Sequence, residues 1–160
     1  TRVGDIGLGV ILSLMENDGL SPQEVNTLIN KKSGLLGISG VSSDMRDIEE
    51  AAEQGNHRAQ LALEMFAYRV KKYIGAYTAA MNGLDILVFT GGIGENGDLP
   101  RRMIAGDLNF LGINFDEERN KGLRGKDAMI TTDDSRVKVL TITTDEELVI
   151  ARDTYSIVNS

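Results

Sequence analysis

The sequence predicts a single α/β domain, rich in helix over its first half, with strands concentrated in the second. Three features predict it. Residues 56–81 keep apolar positions at three- and four-residue spacing, which is the pattern of a long helical face. Ile86, Leu87, Val88 and Phe89 form an unbroken apolar run between Gly83 and Gly91, as in a strand buried on both faces of a parallel sheet. Residues 137–142 alternate like a strand and run directly into a helix start.

The elements follow in order. Residues 1–5 are a polar, glycine-bearing entry in which Arg2, by type alone, reads as a surface arginine. Ile6, Leu8, Val10, Ile11, Leu12, Leu14 and Met15 predict a helix over about residues 8–17, ended by Gly19. Ser21-Pro22-Gln23-Glu24 is a second helix start, with Ser as cap, Pro in the first turn and Glu three residues on. Gly34 reads as its C-cap, and residues 34–40 are apolar and glycine-rich without a clear period. Ser43 or Asp44 caps a helix that Gly55 ends. Capping alone accounts for that segment, and the functional alternative is a loop presenting Asp44 and Arg46 to a ligand.

In the long helix, Ala59, Ala62, Phe66, Val70, Tyr73, Tyr77 and Met81 share a face, which Leu63 and Ile74 widen. His57 stands at its start in a surface or capping place. Residues 111–115 read as a further strand running into Asp116, and residues 128–130 as a short one. Thr144 or Asp145 caps a final helix whose apolar set is Leu148, Ile150, Ala151, Tyr155 and Val158.

Composition removes several function classes. A formal charge of −7 argues against a nucleic-acid surface, which needs clustered Lys and Arg. The pairs Lys31-Lys32, Lys71-Lys72 and Arg101-Arg102 read as solvated faces. With no Cys and a single His, disulfides, thiolate metal sites and histidine-rich metal sites are excluded. No apolar run approaches the ~20 residues of a membrane span, and no signal peptide is visible, so a cytoplasmic protein without a membrane partner is expected. The chain opens on Thr1 without an initiator Met, which suggests a cut chain.

Two stretches carry the chemistry. Glycines at 91, 92, 94 and 97 follow the apolar run, and Asp98-Leu-Pro100 then opens a helix. A strand, a glycine loop and a helix N-terminus cradle phosphate, because glycine lets the backbone approach the anion and free N–H groups face it. Three readings of this loop stand open. Gly92-Ile-Gly-Glu-Asn-Gly97 matches the dinucleotide fingerprint G-x-G-x-x-G, with Asp116 as the later acidic residue. It equally suits a nucleoside triphosphate site, or a tight strand-to-helix turn with no ligand. The second stretch is Thr144-Asp145-Glu146-Glu147. If both strands share one parallel sheet, it lies on the same carboxyl edge, where carboxylates can hold Mg²⁺ beside phosphates. By itself it is also an ordinary acidic first turn.

Five segments in order strongly resemble the C-terminal portion of acetate kinase: Thr1-Arg-Val-Gly-Asp5, Lys31-Lys-Ser-Gly-Leu-Leu-Gly-Ile-Ser-Gly40, Ser43-Asp-Met-Arg-Asp47, Val88-Phe-Thr-Gly-Gly-Ile-Gly-Glu-Asn96 and Thr144-Asp-Glu-Glu-Leu148. The resemblance covers essentially all 160 residues. It implies an actin-like, sugar-kinase-like ATPase fold of the ribonuclease H type, with this chain as the nucleotide-binding C-terminal domain of a two-domain kinase. It also implies reversible transfer of the ATP γ-phosphoryl group to acetate, or another short carboxylate, with Mg²⁺. Arg2 matches the arginine that stabilises the transferring phosphoryl group. Asp44, Met45 and Arg46 match a loop on the adenosine moiety. Gly92, Ile93, Gly94, Glu95 and Asn96 match the nucleotide loop, and Glu146 matches a carboxylate associated with Mg²⁺. A homodimer formed through this domain is implied as well, with the long helical face as one surface.

Some positions depart from the family pattern. Val3 stands where Ser is usual, Gly7-Leu8 where Asp-Pro follows, Thr143 where Pro is common and Asp145 where Asn is common. The family's N-terminal portion, with its catalytic aspartate, a further arginine and most of the acyl pocket, has no counterpart here. The 160 residues alone are therefore expected to be inactive.

Overall fold

A computed structural model describes residues 1–159. The chain falls into two compact units, Thr1–Arg69 and Val70–Ser160.

The first unit is helical: α1 (Leu8–Glu16), α2 (Pro22–Lys31), α3 (Gly34–Ser39), α4 (Met45–Glu53) and the opening of α5 (His57–Ala80), which ends in the second unit. Helix starts form where capping residues stand. The Ser21 hydroxyl accepts from Glu24 N, while the Glu24 carboxylate takes Ser21 N at 2.8 Å, completing a reciprocal box. Asp44 caps α4 through Arg46 N at 2.9 Å, and Asn56 Oδ1 receives the N–H groups of Arg58 and Ala59 at the head of α5. The core of this unit is Val25, Met45, Ile48, Ala59, Ala62, Leu63 and Ala67.

Two expectations change here. Gly34 does not end α2; it opens α3, in a stretch where no helix was predicted. Its φ of +62° and the Arg2 carbonyl oxygen, 2.6 Å from where a Cβ would stand, both require glycine. The α5 face is buried only in its first half: Tyr73, Tyr77 and Met81 are exposed, and the two tyrosine rings stack with centroids 6.1 Å apart.

The second unit is built on a three-stranded sheet in the order β1-β3-β2, with β1 at Ile86–Phe89, β2 at Ala128–Met129 and β3 at Lys138–Thr141. β1 and β3 are parallel neighbours, with Phe89 opposite Thr141, and Ile142 N extends the ladder to Phe89 O at 2.9 Å. β2 runs antiparallel to β3. Helices α6 (Gly91–Asn96), α7 (Asp98–Ala105), α8 (Glu117–Asn120) and α9 (Glu146–Val158) complete the unit, with Phe89, Ile104, Ala105, Leu108, Ile113, Ile130, Val137 and Val139 as its apolar core.

Three further expectations are corrected. β1 lies at the sheet edge and is not covered on both faces; Ile86 is 53 % exposed and Val88 43 %. Residues 111–115 are not a strand: a 3₁₀ turn spans Asn109–Leu111, and Phe115 makes only a lone bridge to Thr131. Asp116 spends its carboxylate capping α8, and no strand leads into it, so it does not stand at a strand end as the acidic residue of a dinucleotide fingerprint does. The glycine stretch after β1 is not an open loop but a short helix, α6.

Candidate functional site

The parallel pairing of β1 and β3 brings the two chemical stretches together. Both leave the sheet at its carboxyl edge, β1 into α6 through Thr90, and β3 toward α9 through residues 142–145. One residue joins them directly. Glu95 Oε1 accepts from Gly91 N at 2.9 Å, from Thr144 N at 2.9 Å and from Thr144 Oγ1 at 2.8 Å. These bonds, those from Thr144 first, hold the Glu95 carboxyl below its ordinary range, so it is a carboxylate at neutral pH. Asp127 supports the neighbouring residue: its Oδ1 takes Thr143 N and Thr143 Oγ1, each at 2.8 Å, and these bonds lower its pKa as well.

The helical form of α6 decides which amides are available. The N–H groups of Gly94, Glu95 and Asn96 bond to carbonyls one turn back, as in any α-helix. That of Gly91 is taken by Glu95. Gly92 and Ile93 are the first-turn residues whose N–H groups have no carbonyl partner within the helix. A Cβ on Gly92 would meet nothing within 4 Å, whereas one on Gly94 would stand 3.0 Å from the Phe89 carbonyl carbon. Gly94 is a packing glycine that lets α6 lie against the end of β1, and Gly92 is an open one. Asn96 turns its Nδ2 back to Gly92 O at 3.0 Å.

Asp145 caps α9 through Leu148 N at 2.9 Å, which leaves Glu146 as the exposed carboxylate that opens the helix. No group of three or more His, Cys, Asp or Glu side chains that could together hold a metal exists among the described residues.

The remaining predicted residues belong to the first unit. Arg2 is exposed, and its backbone is fixed on both sides: Ser33 N donates to Thr1 O at 2.9 Å and Val3 N to Ile29 O at 2.8 Å. Asp44 and Arg46 are engaged with one another. The guanidinium lies 2.8 Å from Asp44 Oδ2, and that side-chain bond, with the one from Arg46 N, holds the Asp44 carboxyl at about 2. Met45 differs from its neighbours. It is only 7 % exposed, so its side chain packs in the core and is not presented to a ligand.

Comparison with known proteins decides the family. Residues 1–152 match the Acetokinase family. The chain belongs to that family. The acetate kinase of Dictyoglomus thermophilum is 57 % identical over 158 residues, covering 99 % of this chain and 39 % of that protein. That of Porphyromonas gingivalis is 54 % identical over 157 residues, with 98 % and 39 % covered. Among solved structures, Porphyromonas gingivalis acetate kinase superposes with a TM-score of 0.92 at 53 % identity, covering 99 % of this chain and 40 % of that one. A propionate kinase from Francisella tularensis superposes at 0.85 with 40 % identity, covering 94 % and 38 %. The fold is therefore that of the actin-like ATPases, and this acetokinase chain spans about two fifths of the length of the relatives it matches.

Sequence reasoning on this acetokinase chain missed two supports of the site. The Glu95–Thr144 link joins residues 49 apart, and no local signal announces it. Arg101 belongs to a pair that reads as solvated, yet it is 0 % exposed. Its placement three and four residues before Ile104 and Ala105, both buried, is the periodicity that would have revealed it.

Proposed function

We propose that this chain is the nucleotide-binding C-terminal domain of an acetate kinase. The intact enzyme would transfer the γ-phosphoryl group of ATP reversibly to acetate or another short carboxylate, forming the acyl phosphate. The observation that carries the reading is the Glu95–Thr144 link, which sets the glycine-rich start of α6 and the acidic start of α9 side by side on one sheet edge. Phosphoryl transfer is catalysed mainly by positioning and by neutralising charge on the transferred group, and these are the parts on this edge.

In this reading Gly92 and Ile93 offer N–H groups to the polyphosphate, while Gly94, Glu95 and Asn96 hold α6 in place. Arg2 supplies a guanidinium to the transferring group. Asp44 and Arg46 contact the adenosine moiety, and Met45 anchors their segment from the core. Glu146 suits Mg²⁺, since that ion keeps several waters and takes one or two carboxylates alongside substrate phosphates, without a full protein cage. Bound there, Mg²⁺ would neutralise phosphate charge. The relatives matched are more than twice as long as this chain, and phosphotransfer belongs to the full-length protein. A location in the cytoplasm suits this substrate set, and no helix among the described residues is long and apolar enough to cross a membrane.

A homodimer is the assembly we propose, with the exposed Tyr73–Tyr77 stack on the second half of α5 as part of its surface. Sedimentation at several concentrations checks this, and a strict monomer would count against it.

The test is an assay of the full-length protein with Mg-ATP against a series of short carboxylic acids. Acyl phosphate formation is expected, with Glu146→Ala raising the Mg²⁺ requirement. Melting with Mg-ATP and with NAD, compared in parallel, separates this reading from dinucleotide binding, since only a ligand of the native state raises the melting temperature.

A further inference from the structure

Arg101 is the largest wholly buried side chain among the described residues. Its guanidinium sits in a cage of neutral oxygens. Nη1 donates to Gly94 O at 2.8 Å, Nε to Asn120 Oδ1 at 2.8 Å, and Nη2 to Leu123 O at 2.7 Å and Asn120 O at 3.5 Å. Among the described residues no carboxylate lies within ion-pair distance of it. Asn120 is itself buried, and its Nδ2 donates to Asp98 O at 2.9 Å. The Asp98 carboxylate in turn takes Gly122 N at 2.9 Å.

A buried cation whose hydrogen bonds all go to neutral oxygens, with the Asp98 carboxylate attracting it only from beyond ion-pair distance, is an expensive way to fill space. An apolar residue beside Ile104 and Ala105 would avoid most of the desolvation cost. The bonds show what the cation does. Gly94 O is among the last carbonyls of α6, which find no partner within a helix. Arg101 meets it with a charged donor, and a cation at a helix C-terminus also complements the dipole. The opposite end of the same short helix carries the Gly92 and Ile93 amides, which have no carbonyl partner within it.

We propose that Arg101 is a positioning residue for nucleotide: by clamping the Gly94 carbonyl from beneath, it sets the direction in which α6 presents the Gly92 and Ile93 N–H groups to a polyphosphate. It acts through α6 and does not touch the nucleotide. The proposal rests on the kinase reading above. Its consequence is selective. Loss of the clamp weakens ATP and spares the carboxylate substrate.

The experiment uses the full-length protein, with Arg101→Lys, Arg101→Met and Asn120→Ser. Val139→Ala, which thins the buried centre of β3, serves as a destabilised control. Arg101→Met is expected to raise the ATP KM about tenfold, equivalent to about 1.4 kcal/mol of ATP binding, with the acetate KM unchanged. Arg101→Lys, which keeps the charge, is expected to fall between it and wild type. Hydrogen exchange at the α6 amides, measured well below the melting temperature, should quicken in the Arg101 variants and not in Val139→Ala. If the Arg101 variants do not fold, Asn120→Ser decides, and it must shift the ATP KM in the same direction. Any folded Arg101 variant with wild-type ATP KM and wild-type α6 exchange overturns the proposal. So does a rise in both KM values that merely tracks melting temperature across all four variants. Wild-type protein without Mg-ATP binding or acyl phosphate formation would instead overturn the kinase reading, a separate outcome.

Discussion

Gly92 and Gly94 give the sharpest test of the proposed phosphate site, because packing requires glycine at one of them and not at the other. Gly92 lies in the first turn of α6, its φ is not positive, and a Cβ built there meets nothing within 4 Å. Folding therefore has no use for glycine at this position. Alanine is favoured over glycine inside a helix by up to about 1 kcal/mol, so Gly92→Ala is expected to raise stability by some part of that. In a domain of this size about 1 kcal/mol corresponds to roughly 2–4 °C in melting temperature. On the proposed nucleotide reading, the same methyl would stand where a phosphate oxygen approaches the backbone, so affinity for Mg-ATP is expected to fall. Gly94→Ala is the counterpart. Its Cβ would lie 3.0 Å from the Phe89 carbonyl carbon and 3.3 Å from its Cα, atoms held by the β1–β3 ladder that cannot easily yield. Overpacking of this kind costs about 1–3 kcal/mol, which outweighs the helix-propensity gain. Melting curves and calorimetric titration with Mg-ATP on the two variants give four numbers. A Gly92→Ala protein that melts higher and binds Mg-ATP as well as wild type would refute the assignment of these amides to phosphate.

Other perturbations follow from the same geometry. The Glu95 pKa is lower folded than unfolded, so its contribution to stability is present above the ordinary value of 4.5 and lost as pH falls below it. Melting of wild type between pH 6 and pH 3 should therefore fall more steeply than that of Glu95→Gln, and parallel curves would show that the carboxylate contributes nothing. Ser21→Ala removes the hydroxyl half of a formed capping box and is expected to cost about 1 kcal/mol, read from denaturant midpoints. Ile48→Ala, at a wholly buried position of α4, is expected to cost about 2–5 kcal/mol in the same measurement.

What the sequence by itself determined is local. The Ser21 cap, the helix starts at 43–44 and 144–145, the strand–glycine–helix order around residue 90, and the acidic turn at 145–147 are all set by residues within about four positions of one another, the reach of a helical turn, and the structure chose Asp44 over Ser43 and Asp145 over Thr144 as caps. The tertiary structure decided what those pieces do together. Pairing of β1 with β3 carried Thr144 to Glu95 across 49 residues, and packing of α7 against residues 120–123 turned an arginine that looks solvated into a buried clamp. Exposure was decided at the same level. Ile86 and Val88 read as core by composition, but β1 sits at the edge of a sheet of three strands, and how far a side chain is buried depends on the elements laid over it. Hydrogen-bond partners and burial belong to chain segments distant in sequence. A one-dimensional pattern therefore reveals where a helix begins, and only the packed chain shows which of its amides are left to bind a ligand.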